Sequence, residues 1–199
     1  MSVRALLHDI DVQYARIWSG WSKRRFPAAS APAIEAFEKT LGHPLPADFR
    51  ELLLLSTTEH PLHGGYVCSP LDGIIADWHM MKSLLDAGTF DDGRVGATEP
   101  AGNWDSGKLA KVWWHAGWVP FAVDGCGNMV CVDLAPGPKG VVGQLVKMEV
   151  QDGQGPFASD FASVEQLLAH HLELVRTGRY KLEDDGYILS PDRYRPPRG

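Results

Sequence analysis

Apolar residues recur at helical spacing in five segments, and each stripe predicts an amphipathic helix with one buried face. Ser30 and Ser163 can cap helix N-termini, and Gln166 follows Ser163 at the spacing of a capping box. The four leucines at 52–55 cannot share a narrow stripe, so they predict a deeply buried third helix. The five helices are expected to begin near Val3, Ser30, Asp48, Ile75 and Ser163.

After Lys111 the apolar spacing changes to a period of two, which is typical of strands. The turn Asp124-Gly-Cys-Gly-Asn128 predicts a hairpin, because glycine and asparagine tolerate positive φ. We predict strands over residues 112–115, 118–123, 129–134 and 141–150, and loops over 56–73, 89–107 and 151–159.

Helices, then strands, then a closing helix predict a single α+β domain. Its sheet is expected to be twisted and largely antiparallel, with the helices packed on it. The domain is predicted to span residues 1–199, with a core from about 15 to 190 and a loose tail over 191–199.

Charge and composition narrow the function. The net charge of −6 argues against nucleic-acid binding, which needs Lys and Arg to displace phosphate counterions, and it can attract a basic partner. No apolar run approaches the length of a membrane helix or a signal peptide. Three cysteines without a repeated spacing do not form a disulfide framework, so we expect a reduced, cytoplasmic protein with no membrane partner.

The stretch from Trp113 to Gln144 carries five elements in a fixed order: a tryptophan pair, a Trp-hydrophobe-Pro strand, an Asp-Gly-x-Gly-Asn turn, an Asp-Leu-x-Pro loop and a Gly-Gln pair. This pattern resembles the signature of the SUKH superfamily, particularly the branch named for fungal cell-wall synthesis regulators. Residues 34–50 and 161–180 are similar to the family's flanking helices. The sequence departs from the usual pattern at 56–60, in a predicted loop, and at 149–152, which spans the end of a predicted strand and the loop after it.

The resemblance implies a SUKH-like fold and a protein-binding role without catalytic residues. It implies fold-determining roles for Trp118, Pro120, Gly125, Gly127, Asn128, Pro136 and Gly143. Bacterial members neutralise toxins and fungal members are linked to cell-wall assembly. We therefore expect a cytoplasmic immunity protein that occludes a cognate toxin, such as a basic nuclease domain. The alternative is a regulatory scaffold related to cell-wall-assembly regulators.

Catalytic and metal chemistry were weighed against this expectation. A hydrolase using Cys126 would need a lowered thiol pKa and a histidine base, yet the residues after Cys126 predict a strand instead of the helix that usually stabilises a thiolate. His60, His63 and Cys68 share a loop, and His170 and His171 are adjacent, but neither set has zinc-ligand spacing. We predict a non-enzyme with no catalytic residue, cofactor or metal.

Tryptophans and acidic turn residues are the candidate partner contacts. On a strand, Trp113 and Trp114 would face opposite sides, so one ring is exposed unless both faces are covered. An exposed tryptophan is a typical interface anchor, and aspartates could meet a basic partner. The candidates are Trp104, Trp113, Trp114, Asp124, Asp133 and Asp152.

Overall fold

The structure is a computed structural model that describes residues 1–17, 21, 25–55, 57–58, 62, 65–90, 107–150, 155–179, 181–182 and 188–189. All five predicted helices are present in this part of the chain. They are α1 (Val3–Ile17), α2 (Ala31–Leu41), α3 (Ala47–Leu53), α4 (Leu71–Asp86) and α5 (Val164–Arg176). None of them is long and apolar enough to cross a membrane.

A five-stranded sheet, antiparallel throughout, confirms the α+β class. Its strands, in spatial order, are β3 (Val67–Cys68), β4 (Trp118–Val123), β5 (Met129–Asp133), β6 (Leu145–Glu149) and β7 (Gly155–Ala158). Two short antiparallel pairs stand apart from it: β1 (Arg25–Phe26) with β2 (Thr57–Thr58), and β8 (Lys181–Leu182) with β9 (Ile188–Leu189).

Local capping explains where two helices begin. Ser30 Oγ accepts a hydrogen bond from the backbone N–H of Ala33 (3.3 Å), and Ser163 Oγ accepts one from Gln166 (3.1 Å). The predicted capping box at Ser163 closes differently from expectation, because the Gln166 side chain accepts the N–H of Ala162 rather than that of Ser163. Both serines thus satisfy backbone donors that the first helical turn leaves free.

Four predicted segments were wrong. Residues 112–115 form bends and irregular backbone instead of a strand, and the strand predicted over 141–150 begins only at Leu145, after a turn. The predicted loops at 56–73 and 151–159 contain strands β3 and β7. The leucines at 52–55 are not uniformly buried, because Leu54 lies 40% exposed at the end of α3.

One apolar cluster includes residues from α1 to α5 and from the sheet. Helix α1 packs along α5, α3 contacts both of them, and α4 lies against β4. Every residue of the central strand β5 is buried, so both faces of the sheet are covered there. The helices do not cover the sheet evenly, and the surface beside the β4–β5 turn stays open as a cleft.

Candidate protein-binding site

The turn between β4 and β5 is held by its own side chains. Asp124 Oδ1 accepts hydrogen bonds from the backbone N–H of Cys126 (2.8 Å) and Asn128 (3.1 Å). Asp124 Oδ2 accepts a third from Asn128 Nδ2 (2.8 Å). Gly125 and Gly127 have φ values of 76° and 99°, which favour glycine. The predicted hairpin is confirmed, and it fixes the positions of Asp124 and Asn128.

A row of side chains runs across the sheet next to this turn. Val130 pairs with Lys147, and Lys147 pairs with Phe157 on the edge strand. Directly paired residues of antiparallel strands lie on the same face, so these three side chains share one surface. They form the floor of a cleft of about 420 Å³. This signature cleft is lined by Tyr66, Asp124, Asn128, Val130, Leu145, Lys147, Glu149, Phe157, Ala158, Ser159, Asp160, Phe161 and Leu167.

The lining of the signature cleft combines apolar and acidic side chains. Among the described residues, its charged groups are the carboxylates of Asp124, Glu149 and Asp160 and the ammonium of Lys147. Lys147 forms an ion pair with Glu149, and their side chains are 43% and 26% exposed. The cleft therefore offers negative charge to solvent around a surface that can bury apolar groups.

Asp133 lies in the interior and not at a surface. Its Oδ2 accepts a hydrogen bond from Gln144 Nε2 and its Oδ1 accepts one from the N–H of Ala135, at 2.8 and 2.9 Å. Burial raises the pKa of the Asp133 carboxyl, and the hydrogen bonds from Gln144 and Ala135 oppose that rise. The interpretation of Asp133 as an accessible charge for a partner was wrong, because its exposed fraction is 0%.

Gln144 joins two loops around this buried carboxylate. Its Nε2 also donates to the carbonyl of Lys108 (2.8 Å), and its Oε1 accepts the N–H of Val141 (3.2 Å). The backbone N–H of Gly137 donates to the same Lys108 carbonyl. A Cβ on Gly140 would lie 2.2 Å from that oxygen, so only glycine fits. The Asp-Leu-x-Pro and Gly-Gln elements thus hold residues 134–144 against 107–109.

Both tryptophans of the pair are buried, with 7% of Trp113 and 1% of Trp114 exposed. The prediction of an exposed anchor at either position was wrong. Because 111–115 is not a strand, the two rings are not forced to opposite faces of a sheet. Neither indole N–H has a hydrogen-bond acceptor among the described residues.

The remaining predicted residues divide into three groups. Trp104 and Asp152 lie outside the described residues. Asp124 lines the signature cleft, and its role as a partner contact stays a prediction. The fold-determining candidates occupy structural positions: Trp118 is fully buried, the β4–β5 register shifts after Pro120, and Gly143 has a φ of 94°. Pro136 lies in the loop that is held against 107–109, beside Gly140.

Two of the three cysteines are buried and one is exposed. Cys126 is exposed at the turn, and the chain continues from it into β5 as predicted. Burial raises the pKa of the Cys68 thiol to about 12, and it raises that of Cys131 as well. Within the described ranges no three His, Cys, Asp or Glu side chains converge as metal ligands, and His60 and His63 lie outside those ranges.

The fold and the cleft together define a class of protein. It is an α+β domain with an Asp-Gly-x-Gly-Asn turn and a loop that a glutamine side chain bridges. The chain belongs to the SMI1/KNR4 family (SUKH-1), whose sequence profile matches residues 28–167, more than half of the chain. This match confirms the resemblance drawn from residues 113–144.

Relatives with descriptive names include three fungal proteins. The cell wall biosynthesis/cell cycle regulator smi1 of Schizosaccharomyces pombe is 34% identical over 93 residues, 46% of this chain and 18% of its own length. The glucan synthesis regulatory protein of Neurospora crassa is 33% identical over 97 residues, 45% of this chain and 16% of its own length. The cell wall assembly regulator SMI1 of Saccharomyces cerevisiae is 31% identical over 93 residues, 43% of this chain and 18% of its own length. The chain thus matches less than a fifth of each relative.

Proposed function

We propose that this chain is a non-enzymatic regulatory domain that binds protein partners through the signature cleft. The observation that carries the proposal is the position of the cleft: the family's Asp-Gly-x-Gly-Asn turn forms one wall of it. A turn that closes on itself through Asp124 and Asn128 keeps this wall in place without a ligand. Such preorganisation reduces the entropy cost of binding.

The regulatory role rests on the relatives. The three fungal proteins above are named as regulators of cell-wall biosynthesis, glucan synthesis and cell-wall assembly, and none of those names is that of an enzyme. These names support the regulatory alternative better than the toxin-neutralising role that we expected first. The chain matches less than a fifth of each of these relatives, so the proposal concerns a binding role and not their complete activity.

One observation favours toxin neutralisation. The chain carries a net charge of −6, and the charged lining of the signature cleft is mainly acidic, so a basic toxin domain is an electrostatically suitable occupant. The two functions use the same surface and differ in the identity of the partner. A secreted basic polypeptide bound at equal stoichiometry would indicate immunity, whereas endogenous proteins would indicate regulation.

Affinity capture with matched variants tests the proposal. Immobilised wild type is compared with Phe157→Ala, which removes an aromatic side chain from the cleft, and with Met80→Ala, which removes a 49% exposed side chain from α4. Proteins retained by wild type and by Met80→Ala but lost by Phe157→Ala would support the cleft as the binding surface. Equal retention by all three would refute it, provided that circular dichroism shows each variant folded.

A further inference from the structure

The apolar and acidic side chains that line the signature cleft are complementary to one type of side chain. Phe157 and Phe161 are partly exposed in this lining, over the buried Val130 and Leu145, and can cover a long hydrocarbon stem. Lysine and arginine bury their stems along apolar surface while the charged head stays near water. A cleft with this layering therefore favours a long cationic side chain over a short or purely apolar one.

The charge of the cleft lining also favours a cationic side chain. Among the described residues, three carboxylates, those of Asp124, Glu149 and Asp160, line the cleft together with one ammonium, that of Lys147, which pairs with Glu149. A second cation entering the cleft meets an excess of negative charge, whereas an acidic side chain would face like charges at short range. The net charge of the chain, −6, adds to this preference from a distance.

The aromatic walls favour arginine over lysine. Phe157 and Phe161 line the cleft and are half-buried, so part of each ring stays accessible. A guanidinium is planar and weakly hydrated, so it stacks on rings and presents a fork of N–H donors that matches a carboxylate. An ammonium is a compact, strongly hydrated point charge and interacts less favourably with aromatic rings.

We propose that the signature cleft binds an arginine side chain of a protein partner, an inference that rests on the proposed function. The cleft volume of about 420 Å³ is large enough for several side chains. Residues of the partner that flank the arginine therefore also enter the cleft. The partner is thus a polypeptide segment with an arginine between apolar residues. Glu149 and Asp160 accept the guanidinium, and Phe157 stacks with it.

A titration with defined peptides tests the inference. The capped peptide Ala-Leu-Arg-Leu-Ala is added to ¹⁵N-labelled protein, and amide shifts are followed by NMR. We expect saturable shifts centred on Asn128, Lys147 and Phe157. We also expect binding at least about tenfold tighter than that of the same peptide with citrulline, which keeps the shape but lacks the charge. Glu149→Gln and Asp160→Asn should each weaken the arginine peptide about threefold or more.

The matched control is Asp86→Asn, which removes a carboxylate with 61% side-chain exposure from α4, and it should leave the titration unchanged. Equal affinity for the citrulline peptide or for the same peptide with lysine in place of arginine, shifts that lie elsewhere, or no saturable shift would overturn the arginine assignment. The results of affinity capture distinguish a failure of the arginine assignment from a failure of the proposed function. If Phe157→Ala loses the captured proteins while Glu149→Gln and Asp160→Asn both retain them, the cleft binds proteins without arginine recognition. If Phe157→Ala retains them, the cleft is not the binding surface at all.

Discussion

At Gly140 the backbone of one loop lies against the backbone of another with no room for a side chain. A Cβ there would lie 2.2 Å from the Lys108 carbonyl oxygen and 2.7 Å from Gln144 Nε2. We expect Gly140→Ala to lower the free energy of unfolding by about 2 kcal/mol or more, because the two loops must separate. Urea denaturation measures this change.

Gly73 in α4 supplies the control for that substitution. The nearest atom to a Cβ at Gly73 lies at 3.5 Å, which is ordinary contact. Gly73→Ala should therefore raise the free energy of unfolding by about 0.5–1 kcal/mol through the better helix propensity of alanine. Equal stability of Gly140→Ala and wild type would show that residues 134–144 do not lie against 107–109.

Asp133 makes stability depend on pH in a defined direction. Burial raises its pKa above the ordinary value of 3.8. As pH rises from 3.8, the unfolded chain loses this proton first, so the folded state binds more protons and stability falls until the raised pKa is passed. We expect the difference in unfolding free energy, wild type minus Asp133→Asn, to be larger at a pH below 3.8 than at neutral pH. Chemical denaturation across that range measures it, and a difference that grows with pH would contradict the assignment.

At the scale of single elements, helix α5 depends on its first turn. Ser163 Oγ accepts the N–H of Gln166, and Asp48 Oδ2 from α3 accepts the N–H of Glu165 (3.0 Å). Ser163→Ala removes one of these caps and should cost about 1 kcal/mol of unfolding free energy. Thermal denaturation checks the value.

Ser83→Ala is the matched substitution for Ser163→Ala. Ser83 is exposed within α4, and its hydroxyl donates to the Met80 carbonyl (2.7 Å) without capping a terminus. Alanine there should be neutral or stabilising by up to about 0.5 kcal/mol. If both serine variants lost the same stability, the cap at Ser163 would not be what stabilises α5.

The helices could be predicted because their signals are local, whereas two strands of the five-stranded sheet could not. Ser30, Ser163 and the apolar stripes stand within a few residues of the turns that they specify. Strand β3 has two residues, Val67 and Cys68, and exists because they pair with Val123 and Ala122 more than fifty positions away. Strand β7 likewise depends on its pairing with β6. No pattern of apolar spacing over so short a segment can distinguish it from a loop.

At the scale of the whole molecule, the candidate site depends on register. The turn Asp124–Asn128 could be predicted from glycine and asparagine, but the floor of the signature cleft could not. Val130, Lys147 and Phe157 meet because three strands pair in one register, and a shift of one residue would turn each side chain to the other face. The prediction of an exposed anchor at the tryptophan pair was wrong, because the sequence does not reveal that residues 111–115 do not form a strand.

Binding through the signature cleft is the central claim, and site-specific photo-crosslinking in cells of the native organism tests it most directly. Benzoylphenylalanine replaces Phe157 in the cleft in one variant and Met80 on the exposed side of α4 in another. We predict a discrete covalent adduct with another protein from the Phe157 position and none from the Met80 position. An adduct from Met80 alone, or no adduct from Phe157, would contradict the claim that this cleft is where the domain meets its partner.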